Sequence, residues 1–116
     1  MTDVDGPRLG EGPAEFRCEI VHETDRVAVC VGGDVDMATA PQVADALAQA
    51  ATTTPPTDVV VDLAACTFLD SSGLSALLEG ARAARAAGRG YAIRGANEQI
   101  VRLVELTSLT DELPFE

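Results

Sequence analysis

Two short valine-rich runs constrain the fold of this chain more than any other feature. Val27 to Val31 and Val59 to Val61 are continuously apolar, with no alternation of wet and dry positions. β-Branched residues suit a pleated strand, and an unbroken run of them suits one covered on both faces, as in the middle of a sheet with parallel pairs. Before the first run, Phe16, Cys18 and Ile20 alternate with Arg17, Glu19 and Val21, the period of a strand with one wet face. The Glu23-Thr24-Asp25-Arg26 stretch then turns, which pairs this strand antiparallel with the first valine run. The first valine strand is expected to end at Gly32-Gly33, and the second is bounded by Asp58 and Asp62.

Helices are expected between the later strands. Thr39 and Gln42 stand in capping-box spacing and Pro41 falls in the first turn, so a helix is expected from about Ala40 to Ala51, ended by Thr52-Thr53-Thr54-Pro55-Pro56-Thr57. A second helix starts after Asp70. Leu74, Leu77, Leu78 and Ala81 recur on one side of it, and Gly88 supplies a left-handed stop. Tyr91 to Arg94 reads as a strand, Asn97 as the cap of a last helix through Ile100, Leu103 and Val104, and Leu113-Pro114-Phe115 as a short edge strand.

The order β-β-α-β-α-β-α predicts one α/β domain, a mixed sheet of four to five strands with helices packed on it through right-handed crossovers. Its 116 residues are 47% hydrophobic but only 3% aromatic, so small aliphatic packing and close helix approach are expected. Residues 1–15 hold Gly, Pro and acids without apolar periodicity and read as a flexible acidic leader, with the domain over 16–116. In this order each crossover helix starts at the carboxyl end of a strand, the edge where α/β proteins place functional groups.

Charge and composition exclude several functions. A formal net charge of −11 repels phosphates of nucleic acids and anionic lipids. Every basic residue is Arg, which leaves no lysine for Schiff-base, P-loop or general-base chemistry. Cys18, Cys30 and Cys66 are scattered through apolar stretches and read as reduced core thiols, and a single His22 does not complete a zinc site, so no metal and no cofactor are expected. With no signal sequence or apolar span in view, the expected location is the cytosol, without membrane insertion, and the expected state a monomer. A serine hydrolase would need His22 to reach Ser71 or Ser72 from a distant part of the fold, so the chain is expected not to be an enzyme.

The candidate site lies where the second valine strand leads into the Phe68-Leu69-Asp70-Ser71-Ser72-Gly73-Leu74 helix start. Asp and Ser there satisfy free helix N–H groups, and capping alone accounts for each of them taken singly. An acid, two serines and a glycine together exceed what a cap needs. A phosphate on serine at this place would meet free amides and the positive end of the helix dipole. Asp34 reads as a turn acid, and Asp36 is open between a turn acid and a member of the site. Arg82, Arg85 and Arg89 are expected to share one side of the second helix.

Gly33-Asp34-Val35-Asp36 after a valine strand, Val60-Val61-Asp62-Leu63, Phe68-Leu69-Asp70-Ser71-Ser72-Gly73-Leu74 and the closing Thr107-Ser108-Leu109-Thr110-Asp111 resemble the STAS domain of anti-sigma factor antagonists over roughly residues 16–116. The resemblance implies a STAS fold and a protein that, unphosphorylated, binds a serine-kinase anti-sigma factor and frees a sigma factor. It further implies inactivation by phosphorylation of Ser71, with Ser72 as second choice, and a phosphatase that reverses it. Asp36, Asp70, Ser71, Ser72 and Gly73 become the expected partner-binding residues. STAS domains also serve as transporter subunits or ligand-binding modules of stress-sensing complexes, and that is the alternative.

Overall fold

The computed structural model describes residues 15–116, so the acidic leader expected over 1–15 lies almost wholly outside the described residues. The chain runs β1 (Arg17–His22), β2 (Arg26–Val35), α1 (Ala40–Ala51), β3 (Asp58–Leu69), α2 (Ser71–Ala86), β4 (Tyr91–Arg94) and α3 (Glu98–Leu106). The four strands form one sheet in the order β1-β2-β3-β4, the first pair antiparallel and the other two parallel. This is the expected mixed α/β sheet. Leu113-Pro114-Phe115 contributes a single parallel bridge between Phe115 and Ile93 at the free edge of β4, not a full strand.

Both valine strands are longer than the sequence suggests. β2 continues through Gly32-Gly33 to Val35, and β3 continues past Asp62 to Leu69. Gly32 and Gly33 read as a stop but stay paired within β2, and for β3 the reason lies in its register. Cys30 faces Asp62 but Gly32 faces Ala65, and Gly33 faces Cys66 but Asp34 faces Phe68, so β3 carries an extra residue at two places. Each such bulge breaks the two-residue period that marks a strand in sequence. Ala64-Ala65 and Thr67-Phe68 accordingly come out as exposed pairs between buried Leu63, Cys66 and Leu69.

One face of the sheet holds the core. Val27, Val29, Val31, Val59, Val61, Leu63 and Ile93 pack with Val43 and Leu47 of α1, Leu74 and Leu77 of α2, and Ile100 and Val104 of α3. Burying each of the larger side chains contributes about 1.5–3 kcal/mol before entropy is counted. α1 and α2 lie unusually close, since a Cβ on Gly80 would come within 2.5 Å of Leu47 Cδ1, which bears out the close approach expected of a core poor in aromatics. Gly88, at φ +73°, follows the end of α2 as expected.

On the opposite face, the alternation that carries Ala28 and Val60 also carries Arg26, Asp62 and Arg94. Arg94 bonds Asp62 at 3.0 Å and Glu23 at 2.6 and 3.1 Å, and Arg26 bonds the terminal residue Glu116 at 2.6 and 3.0 Å. The hydrogen bond from Arg94 holds the Glu23 carboxyl below its ordinary range, as the bond from Arg26 does for Glu116. Burial alone would raise Asp62, but the Ala64 amide and Arg94 outweigh it and hold it low.

The cysteines are free thiols, raised mainly by burial; Cys66 is buried, whereas Cys18 and Cys30 are only half-buried, so the core assignment holds for one of the three. The arginine row also resolves differently. Arg89 lies beyond α2 and donates to Ala50 O at 3.0 Å and Thr53 O at 2.7 Å, neutralising the carbonyl end of α1, while Arg82 and Arg85 reach Glu112. A cation at a helix C-terminus is stabilising there, and the spacing along one helix concealed its target on another.

Candidate functional site

β2 and β3 end side by side, with Val35 opposite Leu69. In parallel strands about 4.8 Å apart, the residues that follow are neighbours as well, which brings Asp36 and Asp70 to one edge of the sheet. The expectation that Asp36 shares the site's edge agrees with this placement.

Asp70 is the N-cap of α2 in an extended conformation, and its Oδ1 accepts from Ser72 N at 2.8 Å and Gly73 N at 3.1 Å. Its own N–H donates to Val35 O at 3.1 Å, and its carbonyl accepts from Leu74 N at 2.9 Å. The carboxylate thus uses amides that were expected to be free for a phosphate. Of the first-turn N–H groups, that of Ser71 is the one left without a partner among the described residues. Ser71 is exposed and its hydroxyl makes no hydrogen bond to a described residue. Ser72 is half-buried.

Gly73, expected among the partner-binding residues, is buried. A Cβ there would sit 2.6 Å from Leu69 Cγ and 2.9 Å from Val35 Cγ1, so the missing side chain is what lets the first turn of α2 press against the ends of both strands. Its contribution to the site is close packing. Ser71 and Ser72 are held at the surface by it.

Asp36 is exposed and organises a turn. Its Oδ1 accepts from Ala38 N at 2.9 Å and Thr39 N at 3.2 Å, and its carbonyl accepts from Ala40 N at 2.8 Å. The capping box expected of Thr39 and Gln42 does not form: Thr39 makes no side-chain cap, and its hydroxyl instead lies 3.0 Å from Asp36 N and 3.2 Å from Asp34 O. The Thr39 hydroxyl thus serves the Asp36 turn that precedes α1 and not the first turn of the helix. Asp34 is no turn acid but a residue of β2, and it accepts the Thr67 hydroxyl across the sheet.

Beside the serines runs an open groove of about 460 Å³ between α1 and α2, lined by Met37, Pro41, Asp45, Ser72, Ser75 and Glu79. Met37 is 78% exposed, the most solvent-facing large apolar side chain among the described residues. Sequence reasoning missed it, although a methionine standing between Asp36 and the helix, outside any apolar period, was a usable signal. His22 lies at the far end of the sheet: it pairs with Val27, and Val27 to Val35 spans about 26 Å along β2 at ~3.3 Å per residue. It is the chain's one histidine, so neither serine has an imidazole base. Among the described residues no cluster of three metal-ligating side chains occurs, and no helix is long and apolar enough to cross a membrane.

On the other side of β3, where β4 has ended at Arg94, two side-chain amides of the α3 start reach the strand. Asn97 caps α3 through Ile100 N at 3.0 Å, as expected, and its Nδ2 also donates to Cys66 O and Thr67 O, each at 3.3 Å. Gln99 accepts from Leu69 N at 3.3 Å and donates to Leu69 O at 3.0 Å.

Comparison with solved structures finds the same architecture repeatedly. An anti-sigma factor antagonist from Mycobacterium paratuberculosis superposes with a TM-score of 0.70 at 26% identity, covering 87% of this chain and 85% of that one. SpoIIAA in its unphosphorylated form gives 0.69 at 18% identity over 88% of each chain. The phosphorylated form of SpoIIAA from Bacillus gives 0.65 at 18% identity, covering 88% of this chain and 91% of that one. A family model described as "Mlab, STAS domain" matches residues 18–114, nearly the whole of the described chain. The protein belongs to the STAS-domain family.

Proposed function

We propose that this chain is an anti-sigma factor antagonist whose unphosphorylated form binds a serine-kinase anti-sigma factor, frees a sigma factor, and is switched off by phosphorylation at Ser71. The observation that carries the reading is the state of Ser71: an exposed hydroxyl that bonds no described residue, on the first residue of α2, held in place by a cap that does not use it. Ser72, half-buried against the groove, is the second choice. Similar structures include an antagonist in both unphosphorylated and phosphorylated forms, which supports the same regulation here.

The physics gives the switch its sign. A phosphoserine adds about −1.5 to −2 charge at pH 7. Beside Ser71 the helix-end amides of Ser72 and Gly73 already hold the Asp70 carboxylate, and Asp36 leaves the neighbouring strand. The added charge has little left to neutralise it, and bringing such a cluster out of water against a partner is costly. Asp36, Asp70, Ser71 and Ser72 form the contact edge, with Gly73 beneath it. The function is regulatory binding in the cytosol, by a monomer when free, with a phosphatase resetting Ser71 and with no catalysis, cofactor, nucleic acid or membrane insertion.

The test is incubation with candidate serine-kinase anti-sigma factors and ATP, then mass spectrometry of the peptide that holds both serines. Modification at Ser71, absent in Ser71→Ala and followed by weaker binding, is the expected result. Binding of a transporter or sensor protein with neither serine ever modified would replace the switch by the subunit or ligand-module reading.

A further inference from the structure

β3 has strand partners on both sides only over its first part. β4 pairs with Val59 to Asp62 and no further, while β2 accompanies β3 to Leu69. Backbone groups along a strand point alternately to its two sides. Asp70 N–H points toward β2 and meets Val35 O, so the N–H and C=O of Leu69 point the other way, where no strand remains among the described residues. That side is filled by Gln99, whose carboxamide oxygen and nitrogen lie side by side and engage both groups of Leu69 at 3.3 and 3.0 Å. Asn97 adds a donor alone, its Nδ2 reaching Cys66 O and Thr67 O. Two side chains of the α3 start thus stand in for a missing strand along the last residues before Asp70.

We infer that Gln99 is a positioning residue for the Asp70-Ser71 switch: its carboxamide fixes Leu69, and through Leu69 the direction in which Asp70 and Ser71 leave the sheet. Leu69 is also the residue against which Gly73 packs, so the same clamp steadies the first turn of α2 from below. The switch is then held by three elements: β2 through Val35, α2 through the Asp70 cap, and α3 through Gln99. The inference rests on the proposed role of Ser71 for its functional meaning, but its geometry is measurable without any partner.

The experiment is amide hydrogen exchange on the full chain carrying Gln99→Met, which keeps the length of the side chain and removes both hydrogen bonds. Exchange at Leu69 and at the cap amides of Ser72 and Gly73 should accelerate about tenfold or more, as local opening replaces a made bond, while Val60 and Val61 keep their protection. Gln99→Glu, which retains the acceptor for Leu69 N–H but sets a carboxylate against Leu69 O, should fall between. Unchanged exchange at Leu69, acceleration at Leu69 alone without Ser72 and Gly73, or equal acceleration in the core strands would each overturn the inference. Phosphorylation kinetics then add the functional readout: in Gln99→Met the KM for Ser71 rises several-fold while kcat holds. A wild-type chain that no kinase modifies would sink the switch reading, and the exchange pattern would still decide the clamp.

Discussion

The starts of α1 and α2 are the same problem solved twice. Each follows one of two adjacent parallel strands that end together, and each begins with an aspartate, Asp36 or Asp70. Asp70 is itself the cap, so the next residue, Ser71, is already helical and its position is set by the helix. Asp36 instead closes a turn through Ala38 and Thr39, and α1 begins only at Ala40, leaving Met37 on an exposed arc. The difference follows from what lies underneath. At α2, Gly73 lets the first turn press on Leu69 and Val35; α1 has Pro41 in its first turn and no residue that permits such closeness. A helix start packed directly on the strand ends, next to one reached through an exposed turn, suits a site in which one side presents a hydroxyl and the other an exposed, adaptable apolar contact.

Substitutions that attack the closely packed start should have the largest effects. Gly73→Ala places a Cβ inside the contact distances of Leu69 and Val35, and the overpacking should cost ~2 kcal/mol, seen as a fall in Tm of about 10 °C. A variant as stable as the wild type would mean that the α2 start has slack and that the contrast with α1 is false. Next comes the pair of caps. Asp70→Ala strips the acceptor from the Ser72 and Gly73 amides and should cost about 1–2 kcal/mol in denaturant unfolding, whereas Asp36→Ala, at an exposed turn, should cost about 0.5 kcal/mol. Equal losses would show the two starts to be equivalent. A phosphomimetic Ser71→Glu should leave Tm within about 2 °C, because surface changes away from buried groups seldom exceed ~0.5 kcal/mol, yet should weaken binding to the anti-sigma partner measured by titration calorimetry.

The same contrast explains what could be read in advance. α1, α2, β4 and the Asn97 cap were legible because their signals are local: Pro41 and the threonine-proline stretch, the Leu74-Leu77-Leu78-Ala81 spacing, Gly88, and an Asn before an apolar stripe. The far half of β3 was not, because two bulges erase its period just where it carries the chain to the site, and that of β2 was not, because Gly32-Gly33 reads as a turn although both glycines stay paired. The Asp70 cap was visible as a residue, but its occupation of the Ser72 and Gly73 amides, which changes what a phosphate would meet, is a matter of side-chain direction. Thr39 misled for the opposite reason: its spacing to Gln42 fits a box, but its hydroxyl turns back to Asp36 N and Asp34 O, outside the four-residue window. Gln99 and Arg89 act on elements they do not belong to, on β3 and the end of α1, and no local pattern announces such a target.

The smallest effect separates two kinds of carboxylate. Asp36 and Asp70 bond backbone N–H groups, whereas Glu23, Asp62 and Glu116 are paired with arginines on the opposite face of the sheet. Those three are held below their ordinary ranges when folded, so their pairing stabilises the fold fully above the unfolded carboxylate range and is lost as pH falls through the lowered folded values. Because the pairs are largely solvated, the loss is modest and weakens further with salt. Arg94→Gln removes the main hydrogen bond that lowers Glu23 and one of the two that lower Asp62, which keeps the Ala64 amide, so their protonation then contributes less slope. Tm measured from pH 7 down to about pH 3 should fall less steeply in Arg94→Gln than in the wild type, with the two curves converging at the acid end. An unchanged slope would place the acid sensitivity elsewhere than the ion pairs, and the charged face would then be mere covering for Ala28 and Val60.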